Sequence, residues 1–166
     1  MAENESDQMI RTPVTNFLDE LEVPYRIKRH SKPVFTSEDA ARERGVNLSQ
    51  IVKTMLLINQ DGAVLVAVLP AHKKLDLKKL KKLTGSKELR FMDKELIEKK
   101  THLIVGAVAP VGKLFMGIPM FADPSIFDEE FLDISSGDPT AGLELHRDVL
   151  RELLRGATFV EIAKGD

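Results

Sequence analysis

The chain has 166 residues, of which 43% are hydrophobic and 30% charged, with a formal net charge of −2. That length suits one domain with a sizeable core, and the balance excludes a strongly basic chain drawn to nucleic acid by its overall charge. With no cysteine there can be no disulfide, thiolate nucleophile or cysteine metal site. Residues 1–8 read as a flexible N-terminus ahead of a single domain over 9–166. "TPVTNFLDELEV" predicts a helix, with Thr12 as N-cap, Pro13 at its first position and Val14, Phe17, Leu18 and Leu21 as its apolar stripe. "PYRIKRH" predicts a short strand. "TSEDAARERGV" predicts a helix capped by Thr36 or Ser37 and closed by Gly45. Val52 to Ile58 and Ala63 to Leu69 predict a hairpin about Asp61-Gly62. "KKLDLKKLKKLTGS" predicts a lysine-rich amphipathic helix ending at Gly85, and "ELRFMDKELIEKKT" a strand followed by a helix capped by Asp93. Strands are expected at "IPMFADPSI", "FLDIS", "GLELHR" and "TFVEIA", with a helix in "RDVLRELLRG" ending at Gly156. The irregular mixture of helices and strands favours a compact α+β domain with a mixed sheet over a doubly wound one.

Few of the usual chemical motifs are present. The four histidines, His30, His72, His102 and His146, are not spaced as local metal-ligand pairs, so no metal is expected. Gly112-Lys113 lacks the rest of a phosphate loop, and no GxSxG elbow exists. The run from Ser135 to Thr140, "SSGDPT", reads as a polar turn between strands. No apolar run approaches the roughly 20 residues that span a bilayer, and the polar start "MAENESDQM" is unlike a signal peptide, which fits a cytoplasmic protein.

Three features remain. Lys53 interrupts the apolar run "IVKTMLLI": either it reaches past a strand edge into water, or it projects a cation into a cleft to hold a phosphate or carboxylate. Lys74, Lys78, Lys81 and Lys82 recur at helical spacing, as a solvated face or as a contact for nucleic acid. "THLIVGAVAPVGK" places Gly106, Ala107, Val108, Ala109 and Pro110 directly after a core-like strand. Such small side chains let backbone approach a ligand closely, and Pro110 stiffens the segment.

In "VKTMLL", "KLDLKKLKKLTGSKELRFMD", "LIVGAVAPVG" and "DISSGDPTAGLEL", in that order, the chain resembles the YbaK-type aminoacyl-tRNA deacylases, the prolyl-tRNA-synthetase-associated editing domains. The likeness covers roughly Met9 to Ala163. It implies a mixed α/β fold and hydrolysis of the ester of a mischarged tRNA, most simply Cys- or Ala-tRNA(Pro), acting in trans without metal or other cofactor. It implies that Lys53 holds the phosphate region of the acceptor end, followed by Thr54. It implies that Gly106 and Pro110 frame a Gly-x-x-x-Pro loop, and that Ser135 is a pocket serine beside Ser136, Gly137 and Asp138; the free N–H groups of such a small-residue segment suit it as a backbone wall for the ester carbonyl oxygen. His30 falls where that branch has an aromatic residue near the pocket entrance. A hydroxyl of the substrate's own ribose orienting water, or attack by the aminoacyl side chain, would account for the missing base. Ala107 and Ala109 replace a glycine and a serine common in relatives, and Gly142 falls where some have aspartate. Prolyl-tRNA synthetase or an elongation factor are the candidate partners. A module of the same fold that binds an acceptor end or nucleotide without hydrolysis is the alternative.

Overall fold

The computed structural model describes residues 10–101 and 117–165. The expected loop from Gly106 to Pro110 (Gly106, Ala107, Val108, Ala109, Pro110) and the expected flexible residues 1–8 lie outside the described residues.

Helix α1 (Pro13–Glu20) begins where Thr12 predicts: the Thr12 hydroxyl accepts from Thr15 N–H, and Thr15 Oγ1 accepts from Thr12 N–H. Strand β1 (Arg26–Arg29) follows, then α2 (Ser37–Arg44), capped by Thr36 and closed by Gly45 at φ 67°. A short 3₁₀ turn, Leu48–Gln50, leads into the hairpin of β2 (Val52–Asn59) and β3 (Val64–Pro70). Next come α3 (Leu77–Thr84), β4 (Leu89–Phe91), α4 (Lys94–Thr101) and β5 (Met120–Ala122). The chain continues through β6 (Phe131–Ser135), β7 (Ala141–His146), α5 (Arg147–Leu153) and β8 (Thr158–Phe159).

Two sheets result, one of them mixed as expected. In the order β4-β2-β3-β5-β8, the hairpin and β4 are antiparallel, whereas β5 pairs in parallel with both β3 and β8. The second sheet, β1-β7-β6, is antiparallel. A bridge between Ile51 and Asp133 joins the two. Alternation along β2 sorts the core. Val52, Leu56 and Ile58 meet Leu132, Ile134, Leu143 and Leu145 of the second sheet. Leu57 and the partly buried Met55 turn to the other face, where Leu75, Leu80 and Ile162 cover them.

Three boundaries differ from the sequence reading. Asp76 caps α3, its carboxylate accepting from Lys78 and Lys79 N–H, so Lys74 lies before the helix and not on its face. "IPMFADPSI" yields only the short β5, because Asp123 and Pro124 start a 3₁₀ turn over Pro124–Phe127. "TFVEIA" contributes two strand residues, after which Ile162 and Ala163 turn their N–H groups to the Asp123 carboxylate, both at 3.0 Å.

Candidate active site

Beside β2 lies a cavity of about 470 Å³. Strand β4 pairs with β2 only at Leu57–Asn59, so the cavity borders the residues of β2 that precede this pairing. Its walls include the entry to α2 (Val34, Phe35, Thr36), β2 itself (Val52–Leu56), the β4–α4 junction (Phe91, Met92, Ile97) and the end of β6 (Ile134, Ser135), together with Ala71 and Pro139.

Lys53, Thr54 and Ser135, far apart in the chain, all border this cavity. Lys53 is half-buried and forms no ion pair among the described residues. The Thr54 hydroxyl is buried and has no hydrogen-bond partner among the described residues. An unmet buried hydroxyl costs about 1–3 kcal/mol, which a later partner would recover. Ser135 Oγ accepts from Gly137 N–H at 3.3 Å.

Pro139 of the polar turn also borders the cavity, whereas Ser136, Gly137 and Asp138 build the turn and are not among its lining residues. Ser136 is fully buried, and its hydroxyl donates to Ala141 O at 2.7 Å. Gly137 adopts φ 91° against Thr12, where an added Cβ would come within 2.8 Å of Thr12 Cβ. Asp138 accepts from both the N–H and the hydroxyl of Thr140, at 2.8 and 2.7 Å, and these bonds hold its carboxyl below the ordinary range. His30 also stands outside the wall. Its Nδ1 lies 2.6 Å from the carbonyl of Lys32, which can only accept, so Nδ1 carries the proton. The unprotonated Nε2 then accepts from Arg44 Nε at 3.4 Å. His30 therefore reaches the cavity through Arg44.

Arg44 was not singled out by the sequence. It borders the cavity with its side chain 7% exposed, and it belongs to a buried ionic cluster. Arg44 Nη1 and Lys28 Nζ both lie 3.3 Å from Asp133, and Lys28 also pairs with Glu144 at 2.8 Å. Burial pushes the Asp133 carboxyl up against the opposing pull of Arg44 and Lys28, and burial pushes Arg44 down against the pull of Asp133. The available signal was Asp133 itself, a charge between Leu132 and Ile134 in a strand, as Lys53 is in β2.

Lys74, Lys78, Lys81 and Lys82 are not among the residues that line the cavity. Lys78 and Lys82 are exposed on α3, Lys81 is half-buried there, and Lys74 is exposed just before the helix. Helix α3 covers the face of the first sheet to which β2 also turns Met55 and, by alternation, Lys53.

Residues 31–153 match the family model of the aminoacyl-tRNA editing domain. The chain belongs to that family. The expectation of an editing hydrolase is borne out at the family level, as is the mixed α/β fold. Over 98% of both chains it is 26% identical to an Enterococcus faecalis protein named "Putative Cys-tRNA(Pro)/Cys-tRNA(Cys) deacylase EbsC". It is 28% identical to the "Prolyl-tRNA editing protein ProX" of Acetoanaerobium sticklandii, over 87% of this chain and 92% of that one. A crystal structure described as "a putative trans-editing enzyme for prolyl tRNA synthetase" superposes with a TM-score of 0.75. That likeness covers 94% of this chain and 100% of the other at 23% identity, and it shows the fold.

Proposed function

We propose that this editing-domain protein hydrolyses the ester of a mischarged tRNA in trans, with Cys-tRNA(Pro) or Ala-tRNA(Pro) as substrate. The observation that supports this most is the meeting of Lys53, Thr54 and Ser135 on one cavity in a chain of the editing family. The names carried by two relatives favour a tRNA(Pro) acceptor, and the first of them favours cysteine.

In this reading Lys53 grips a phosphate of the acceptor end as a point charge. The aminoacyl group enters the space beside Thr54 and Ser135, where the unmet hydroxyl of Thr54 offers a polar contact. Backbone N–H groups of Gly106, Ala107, Val108 and Ala109, with Pro110 closing the segment, face the carbonyl oxygen as negative charge develops on it. Water adds to the carbonyl carbon, the bond to the ribose oxygen breaks, and that oxygen takes a proton. A neighbouring ribose hydroxyl orients the water, so neither a metal nor a protein base is required. Lys78, Lys81 and Lys82, with Lys74 before them, contact the RNA backbone. Prolyl-tRNA synthetase is the partner from which the mischarged product would pass.

A small pocket is the physical reason for such a sieve. One methylene is worth only about 1–3 kcal/mol of discrimination in a synthetase, so errors with smaller amino acids need a second site. The deciding experiment is a panel of tRNA(Pro) carrying cysteine, alanine, serine or proline, assayed for deacylation with and without EDTA. Hydrolysis of cysteinyl or alanyl ester, sparing proline and indifferent to EDTA, is the expected result. Binding of every acceptor without hydrolysis would instead establish a non-catalytic module.

A further inference from the structure

We propose that Phe35 and Phe91, which border the same cavity as Lys53, are stacking platforms for unpaired bases at the 3′ end of the RNA and so position the terminal ester at that cavity. The inference rests on the deacylase reading above and adds the two residues that position its substrate.

Four phenylalanines are among the exposed large apolar side chains: Phe35, Phe91, Phe131 and Phe159. Two of them have ring partners. Phe131 meets the edge of His146 with centroids 5.4 Å apart, and Phe159 meets Phe127 at 5.7 Å. Phe35 and Phe91 have no such partner among the described residues, and both border the cavity. Phe35 is 76% exposed and Phe91 50% exposed. Among the described residues, the exposed phenylalanines without a ring partner thus both border the cavity that Lys53 also borders.

Their backbones are fixed although their rings stand free. Val34 N–H donates to Pro139 O at 2.9 Å on one side of Phe35, and Thr36 caps α2 on the other. Phe91 pairs with Leu57 across the sheet, and the next residue, Met92, donates to Leu56 O at 3.0 Å. A ring on a fixed backbone presents a π-face at little further entropic cost, which suits a flat base. Charge around them favours RNA over an apolar peptide: Lys53 and Arg44 border the same cavity against the single acidic Glu38, and the exposed Arg90 adjoins Phe91.

The chain has no tryptophan, so Phe91→Trp supplies a single reporter. At low salt, its fluorescence is expected to be quenched on titration with the trinucleotide CCA. An analogue lacking the terminal base should bind at least about tenfold more weakly, as expected for one lost stack. With mischarged tRNA, Phe35→Ala and Phe91→Ala should each raise KM at least about fivefold with a far smaller change in kcat, while Tyr restores KM and Leu does not. Equal quenching by the analogue, rescue by Leu, or unchanged KM would overturn the proposal. So would sedimentation showing a dimer that Phe35→Ala dissociates, because a second copy would then cover the rings. If the wild-type protein hydrolyses no mischarged tRNA, the deacylase reading falls, and the trinucleotide titration still decides the stacking.

Discussion

A Cβ on Gly142 would lie 2.5 Å from Arg44 Cζ and 2.5 Å from Asp133 Oδ1. Gly142 is the cradle in which the buried guanidinium meets its carboxylate, and any side chain there must push one of them out. Gly142→Ala is therefore expected to destabilise the protein by about 1–3 kcal/mol through overpacking. Urea unfolding should show a lower midpoint with an unchanged slope. Arg44→Ala, which leaves Asp133 with Lys28 alone, should cost about 3 kcal/mol. The double variant should lose less than the sum, since the space vacated by Arg44 relieves the clash.

Tyr25 donates to Asp19 Oδ1 at 2.6 Å. Burial, and then this bond to a carboxylate, raises the phenol from 10.0 to about 12. The protonated phenol is favoured in the folded state, so its stabilisation is fully present below pH 10 and is lost as pH rises through about 12. The chain has one tyrosine and no tryptophan, so absorbance at alkaline pH reports this group alone. Asp19→Asn should move the ionisation midpoint down toward the ordinary tyrosine value.

The Asp123 carboxylate is 3% exposed. Burial opposes its charge, but bonds from Ser125 Oγ and N–H and from the N–H groups of Ala163 and Ile162 outweigh that and hold the carboxyl below its ordinary 3.8. The native state thus binds this proton less readily than the unfolded chain. Its stabilisation is present above pH 3.8 and disappears as pH falls through the lower native value. Asp123→Asn places an amide donor against backbone donors and should cost about 2 kcal/mol near neutral pH, with a shallower loss of stability in acid.

Lys53→Ala should lower kcat/KM for the mischarged tRNA at least about tenfold if the ammonium grips a phosphate. Lys53→Arg should recover part of the binding, because charge is kept and shape is not. Ser135→Ala should cost about tenfold, as for one lost hydrogen bond, and not abolish turnover. Complete loss with Ser135→Ala would instead mark that serine as the nucleophile of a different hydrolase.

Local signals in the sequence carried most of the element positions. Thr12-Pro13 starts α1, Thr36 and Gly45 bracket α2, and Asp61-Gly62 turns the hairpin, because each device acts within a few residues. Lys53 and Ser135 were legible as candidates, and their meeting is a product of the Ile51–Asp133 bridge between sheets, which no local pattern encodes. The same holds for Arg44: on its helix it is one of several charges, and only the sheet beneath makes it the buried one. The lysine periodicity runs straight through Asp76 and hides the start of α3. The motif from Gly106 to Pro110 lies outside the described residues, so its part in the site rests on family likeness.

The tail of the chain is woven into the start of the lysine helix. Leu75 bridges Ala163, Asp76 N–H donates to Ile162 O at 2.7 Å, Lys164 N–H to Lys74 O at 2.8 Å, and Lys79 Nζ to Ala163 O at 3.2 Å. Protease trimming back to Phe159 would remove every one of these ties and take Ile162 and Ala163 out of the cluster that holds Leu75 and Leu80. In the proposed reading, where the lysine helix contacts the RNA backbone, a nicked preparation would bind RNA more weakly, and because the Ile162 and Ala163 N–H groups leave Asp123 with the tail, the sheet edge at β5 would loosen as well.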